Sequence, residues 1–290
     1  MSDMRELKNS VFSQGSQPPH GMPASHAVTH ADKLKQDFGL EIPVEVVPLP
    51  SAGVVYPENS ALHLCEAVEI KAMTTREEDI LTSRALLKKG TVITELIKSC
   101  LVNKAINPYE LLSGDRNALM VAIRITGYGS DYTAEIDCPA CSTKNKTTFN
   151  LGELSIRRLQ VEPVAQGYNL FQFELPYTKK NVRFRFLTGR DEEEILATQE
   201  KQKKYMATDS IVTTNLLYSV VSIDGIEDKS KISAFIKNMP ARDSLALRSF
   251  IKDNEPGILM KGEFVCDSCS HESEVDIPIG VNFLWPQTRG

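Results

Sequence analysis

No stretch of this 290-residue sequence approaches the ~18 consecutive apolar residues needed to cross a bilayer, so no membrane span is expected. The opening MSDMRELKNSVFSQGSQPPHG lacks the apolar core of a signal peptide, and the expected location is the cytosol. An excess of basic charge is also missing. Lys and Arg number 33 against 38 Asp and Glu, a net charge of -5, whereas a phosphate-binding surface needs clustered positive charge. That balance argues against nucleic acid as the main ligand, leaving room only for a local basic patch. There is no Gly-rich phosphate loop, no nucleophile elbow and no two-histidine metal motif. Nothing assembles a nucleophile, a base and an orienting group, so no enzyme is expected. Tryptophan occurs once, in Phe283-Leu284-Trp285-Pro286. An aromatic plug over the C-terminal module and an interface anchor both fit it.

What is present looks globular: 41% hydrophobic and 24% charged residues, in a length that suits two domains or one with a large insertion. The predicted fold class is α+β, with helical segments plus a zinc-ribbon-like module whose two Cys-x-x-Cys knuckles are separated by a large inserted region. Residues 1–35, rich in Ser, Gln, Pro, Gly and His, read as a flexible arm; its unspaced His20, His26 and His30 read as solvated. Residues 36–73 have an extended texture. Proline limits IPVEVVPLP to edge strands or extended arms, and Cys65 to Ile70 alternates like a half-buried strand.

Residues 74–130 read as helical. Thr74 and Thr75 precede Glu77 and Glu78 with capping-box spacing, and Ile80, Leu81, Arg84, Leu87 and Lys88 keep one helical stripe that Gly90 closes. Thr91 starts a second helix. A third runs from about Asp115 to Thr126, ended by Gly127 and Gly129. Residues 131–155 read as strand, knuckle, strand. Residues 156–258 carry a hairpin, 170–175 with 182–187, then helices from Thr188 and Asp191, over 209–221, 230–237 and 240–253. Residues 259–290 hold the second knuckle and a tail. The run Asp191 to Glu194 reads as a solvated first turn suited to the helix dipole. Asp243 is spaced to cap or orient its own helix, with Arg242 at the surface and Arg248 one face onward.

The chemistry lies in the cysteines. Cys138-Pro139-Ala140-Cys141-Ser142 and Cys266-Asp267-Ser268-Cys269-Ser270 amount to an internal repeat, followed by Thr148, Phe149 and Leu151 in one case and Val275, Ile277 and Ile279 in the other. Each tight turn supplies two thiolates, and two turns facing each other form the closed tetrahedral shell that zinc favours. The expectation is one structural Zn2+ per chain on Cys138, Cys141, Cys266 and Cys269. Residues 142–265 separate the knuckles, which is tolerable because loop-closure entropy grows only logarithmically with length. A redox dithiol fits less well, since such motifs use one pair at a helix start. Disulfides, an iron–sulfur centre and a catalytic metal are lesser readings, and four thiolates leave no open position for catalysis. His271 stands close enough to compete as a ligand but reads as solvated. Cys65 and Cys100 read as small buried hydrophobes.

The blocks MPARDSLALRSFIKDNEPGI, VCDSC and DIPIGVNFLWP resemble the baseplate hub and hub-assembly proteins of contractile-tailed, T-even-like bacteriophages. TTREEDILTSRALLKKGTVITELIKSCL and IDCPAC fit the same pattern, so the resemblance spans residues 65–286 in scattered, ordered blocks. It implies a phage tail protein made in the host cytoplasm. Such a protein forms part of the baseplate hub, or assists its assembly, through contacts with other tail and baseplate proteins. The four cysteines carry over as structural ligands, with Arg242, Asp243 and Trp285 as motif positions without an assigned role, and no catalytic residue carries over. The arm matches nothing in the pattern. A zinc-ribbon nucleic-acid-binding or regulatory protein is the alternative, disfavoured by net charge and by the few lysines, Lys144 and Lys146, near the first knuckle. An enzyme using the thiols is a third.

Overall fold

Prolines and β-branched residues shape the first strands, and aliphatic stripes shape the helices that follow. In the computed structural model the described residues are 36–205, 210–279 and 281–284. The chain divides into two units, Met1–Ile42 and Pro43–Gly290. In the first, the described residues are 36–42, where Gly39 has a φ of 64° and Phe38 and Leu40 are exposed.

In the second unit, β1 (Val44–Pro48) pairs antiparallel with β2 (Ala67–Lys71). Val47, Val68 and Ile70 bury one face of this pair. Three helices follow, α1 (Thr75–Thr82), α2 (Arg84–Lys89) and α3 (Val92–Cys100). The single expected helix is broken at Ser83, whose ψ of 106° lies outside the helical region, because residues 84–89 bury nothing that would hold the two pieces in line. Gly90 closes α2 in the left-handed region, as its position suggested.

The long α4 (Ser113–Tyr128) crosses the core with Leu119 and Ile123 fully buried. Gly127 lies inside it and Gly129 ends it. The element after α4 is the first hairpin, β3 (Asp131–Asp137) with β4 (Lys144–Asn150), followed by β5 (Ile156–Arg157). Next come β6 (Phe171–Glu174), β7 (Asn181–Phe184), α5 (Gly189–Tyr205), α6 (Ile211–Ser219) and β8 (Val220–Ile223). The order β6-β7-β8 makes a three-stranded sheet. Its third strand falls where the sequence predicted the end of a helix: Val220 and Val221 are as apolar as a helix terminus, and only pairing with β7 decides the matter.

After α7 (Lys229–Asn238) and α8 (Ala241–Asn254), the two-residue β9 (Gly257–Ile258) pairs with β5. Ile156 thus stands opposite Ile258, so the chain leaving the first hairpin meets the chain arriving at the second. This pairing is too short to leave a period in the sequence. The chain ends its described part in β10 (Lys261–Val265), β11 (Glu272–Asp276) and the short α9 (Val281–Leu284). Among the described residues, the strands form one three-stranded and several two-stranded antiparallel sheets, an α+β fold with a large insertion between the knuckles.

Close backbone approaches fix the two ends of this arrangement. A Cβ on Gly114 would fall 1.6 Å from the Pro256 carbonyl oxygen, so glycine alone lets α4 start against the chain just before β9. Buried carboxylates do similar work elsewhere. Asp115 on α4 accepts from the Ser51 N–H (2.9 Å), the Ser51 hydroxyl (2.6 Å) and the Tyr56 hydroxyl (2.6 Å). Burial raises its carboxyl above the ordinary range, against the pull of the Ser51 and Tyr56 hydrogen bonds. Glu77 accepts from Thr74 N–H (3.0 Å), Ser99 hydroxyl (2.6 Å) and Lys71 ammonium (2.9 Å). Burial opposes its ionisation, but Ser99, Thr74 and Lys71 outweigh that and bring Glu77 down to about 2.

Candidate metal centre

The two hairpins present their turns to one another. At the first, Cys138 N–H donates to Thr143 O (2.9 Å) and Ser142 N–H to Cys138 O (2.8 Å). At the second, Cys266 N–H donates to His271 O (3.0 Å) and Ser270 N–H to Cys266 O (2.9 Å). Ser142 and Ser270, one residue past each pair, both take left-handed backbone, with φ of 57° and 55°. The knuckles are therefore backbone copies of each other. Serine at a left-handed position is uncommon, and its repetition marks a turn imposed by what the cysteines must reach.

Packing holds the hairpins together beneath the turns. A Cβ on Gly262 would fall 2.5 Å from a Phe149 ring carbon, so this glycine leaves the space into which Phe149 of β4 packs. Tyr132 on β3 donates to the Pro278 carbonyl (2.8 Å) and meets Phe283 edge-on at 5.2 Å between ring centres. Arg124 on α4 donates to Gly129 O (2.8 Å) and Asp131 O (3.1 Å), fixing where β3 leaves the helix.

The four sulfur atoms of Cys138, Cys141, Cys266 and Cys269 all lie within 4.8 Å of one another. Cys138 Sγ is 3.7 Å from Cys269 Sγ, and Cys141 Sγ is 3.6 Å from Cys266 Sγ. A tetrahedron with metal–sulfur bonds of ~2.3 Å has edges of about 3.8 Å, so the donor set fits a tetrahedral, thiolate-loving ion with no position left open. Cys138 and Cys266 are buried while Cys141 and Cys269 are exposed, and all four are free thiols.

Their electrostatics reflect four acids meeting at one point. Hydrogen bonds from the Thr143 hydroxyl and backbone lower Cys141 to about 6. Burial opposes ionisation of Cys266, but the backbone N–H groups of Cys269 and Ser268 bring it below the ordinary thiol range. The His271 N–H also favours the Cys269 thiolate, yet the neighbouring Cys141, burial, Cys266 and Cys138 push Cys269 up to about 12. Successive ionisation is resisted because negative charge accumulates, and a dication held by the four sulfurs would supply the compensation.

Asn145 was not singled out by the sequence. Buried on β4, it donates from Nδ2 to Thr143 O (2.8 Å) and to Cys266 Sγ (3.6 Å), and accepts at Oδ1 from Asp267 N–H (3.0 Å). Its position four residues past Cys141 was the available signal. His271 contributes backbone groups to the knuckle and does not join the sulfur cluster. Cys100 is buried in the core as expected, whereas Cys65 is half-buried and donates to Ala67 O (2.9 Å).

Two other sequence expectations change. The acidic run on α5 is not a solvated first turn: Asp191 is buried in a two-bond pair with Arg185 (2.6 and 2.7 Å), and Glu193 meets Thr94 and lies 3.8 Å from Arg116. Asp243 does not cap its own helix. It is fully buried and accepts from Tyr177 N–H (2.8 Å), Thr178 N–H (3.0 Å) and the Thr178 hydroxyl (2.7 Å), holding the turn between β6 and β7. Burial opposes its ionisation, but the hydrogen bonds from Tyr177 and Thr178, helped by Arg242 beside it, hold the carboxyl below the ordinary range. His20, His26, His30 and Trp285 lie outside the described residues. Among the described residues no helix is long and apolar enough to cross a membrane.

Residues 57–285 match the family model described as T4 bacteriophage base plate protein, a span that contains both knuckles and the whole insertion. No curated protein and no solved structure matches the chain. The match extends over well more than half of the sequence, and the chain belongs to the T4 bacteriophage base plate protein family.

Proposed function

We propose that this protein is a non-enzymatic component of the phage tail that forms part of the baseplate hub, or assists its assembly, through contacts with other tail and baseplate proteins. The observation that supports this is the family match over residues 57–285. In this reading Cys138, Cys141, Cys266 and Cys269 hold one structural zinc ion, which braces the knuckle segments 131–155 and 259–290 on either side of the inserted body 156–258. Four thiolates close the coordination shell, so the ion contributes stability and offers no substrate position. Neither nucleic acid nor membrane enters the proposal.

Disrupting the gene in the phage tests the functional part. Tails should stop at a stage lacking a complete hub, and complete infectious tails made without this chain would overturn the proposal. Mass spectrometry of purified virions then separates a permanent component, present in particles, from an assembly factor made in the host cytoplasm and left behind. Elemental analysis of protein purified without chelator should give one zinc per chain; finding no metal, or iron, would overturn the zinc assignment.

A further inference from the structure

The internal repeat places Asn145 and Ser273 at equivalent positions. Asn145 follows Cys141 by four residues and stands across the hairpin from Ile136, two residues before Cys138. Ser273 follows Cys269 by four residues and stands across from Phe264, two residues before Cys266. The two positions are used differently. Asn145, only 5% exposed, spends both amide hydrogens and its oxygen on the three bonds described above. The Ser273 hydroxyl is buried and has no hydrogen-bond partner.

We infer that Asn145 is a positioning residue of the metal centre: a single amide on the first hairpin that holds both a ligand sulfur and the turn of the second. The inference rests on the reading that the four cysteines hold a metal. Its orientation follows from its partners, since turning the amide over would set its oxygen against the Thr143 carbonyl and the sulfur, and its NH2 against the Asp267 N–H. Two consequences follow from where the bonds go. The Thr143 and Asp267 contacts fix the spacing of the knuckles before any ion arrives, so the sulfur cluster is shaped in advance. The N–H directed at Cys266 Sγ draws charge from that sulfur once it is a thiolate, which offsets part of the surplus negative charge when four thiolates surround one dication. The Ser273 hydroxyl makes no equivalent bonds, so of these two matched positions only the one on the first hairpin reaches across to the other knuckle.

The test uses the full chain loaded with cobalt(II) or zinc, compared with Asn145→Ser, which imports the residue that the second hairpin carries, and with Ser273→Ala. Asn145→Ser should weaken metal retention against a competing chelator by roughly 10–100-fold. It should also move the thiolate-to-cobalt charge-transfer band to longer wavelength, because a sulfur without its N–H bond donates charge more readily. Ser273→Ala should leave both unchanged. Asn145→Asp keeps the bond from Asp267 N–H but cannot donate to sulfur, and gives the same two readouts if Asn145→Ser does not fold. Retention and a band position equal to those of the unaltered chain in a folded Asn145 variant would overturn the inference. An unaltered chain that takes up neither cobalt nor zinc would fail the metal reading itself, a separate result.

Discussion

The knuckle hairpins and the helical body both bind together segments that are far apart in the chain, by different chemistry. In the knuckle module the tie is a set of four thiols, linking residues 131 positions apart at Cys138 and Cys269. In the helical body the ties are buried carboxylates, each collecting hydrogen-bond donors from a distant turn. Asp115 reaches Ser51 across 64 positions and Asp243 reaches Thr178 across 65. A thiol cluster depends on an added ion and fails all at once if one ligand is lost. A carboxylate tie uses donors that folding must satisfy anyway, since a buried N–H without a partner costs about 1–3 kcal/mol. The two regions should therefore respond to different insults.

On the proposed zinc reading, the largest separation should come from removing the metal. Structural zinc contributes roughly 10–16 kcal/mol of apparent binding energy in small peptides, of which packing in a larger fold replaces part. Chelation or Cys266→Ser should abolish zinc binding and release the amides of 131–150 and 261–276 to hydrogen exchange, while α4 and the β6-β7-β8 sheet keep their protection. Equal loss of protection in both regions would show one cooperative unit and erase the contrast. Next in size, Asp115→Ala leaves the Ser51 and Tyr56 donors facing a buried void. It should lower stability by about 3 kcal/mol in denaturant titration with zinc content unchanged. Loss of zinc along with that stability would show that the body shapes the metal centre.

Asp243→Ala should cost about 1 kcal/mol, read the same way, because Tyr177 is exposed and Thr178 half-buried, so their freed N–H groups are less enclosed than the Ser51 and Tyr56 donors. A separate effect concerns pH. Glu77 has a folded value of about 2, below its ordinary 4.5, so its contribution is complete above 4.5 and disappears as pH falls toward 2. Protons also compete with metal for thiolates over the acid range. Thermal midpoints for the unaltered chain and Glu77→Gln should converge between pH 4.5 and 2, while zinc release, followed with a metal indicator, is the same in both. Midpoints that stay equally far apart throughout would remove Glu77 from the account.

The sequence made the knuckles legible because Cys-x-x-Cys within alternating strands leaves few geometries, and it marked Thr74 with Glu77 as the start of α1, where the Thr74 N–H does bind the Glu77 carboxylate (3.0 Å). Gly90 announced the end of α2 for the same local reason. It was silent where a side chain acts at a distance. Asp243 has the spacing of a cap, and nothing near it in the chain indicates the turn at Tyr177 and Thr178 that it serves. Asp191 and Glu193 look like a solvated acidic turn until Arg185 and Arg116 are brought against them. Strand β8 is as apolar as a helix end, and β5 with β9 is a two-residue pairing.

By itself, then, the sequence determined the four cysteines of the knuckles, the tight turns that carry them and the helices with local start and stop signals, because each depends on residues within a few positions of one another. Only the tertiary structure decided that the four sulfurs converge within 4.8 Å, that Asn145 supports one of them while Ser273 supports none, and that buried carboxylates tie the body. Those outcomes depend on which surfaces pack together. Packing is a property of the whole chain, and spacing along the sequence does not record it.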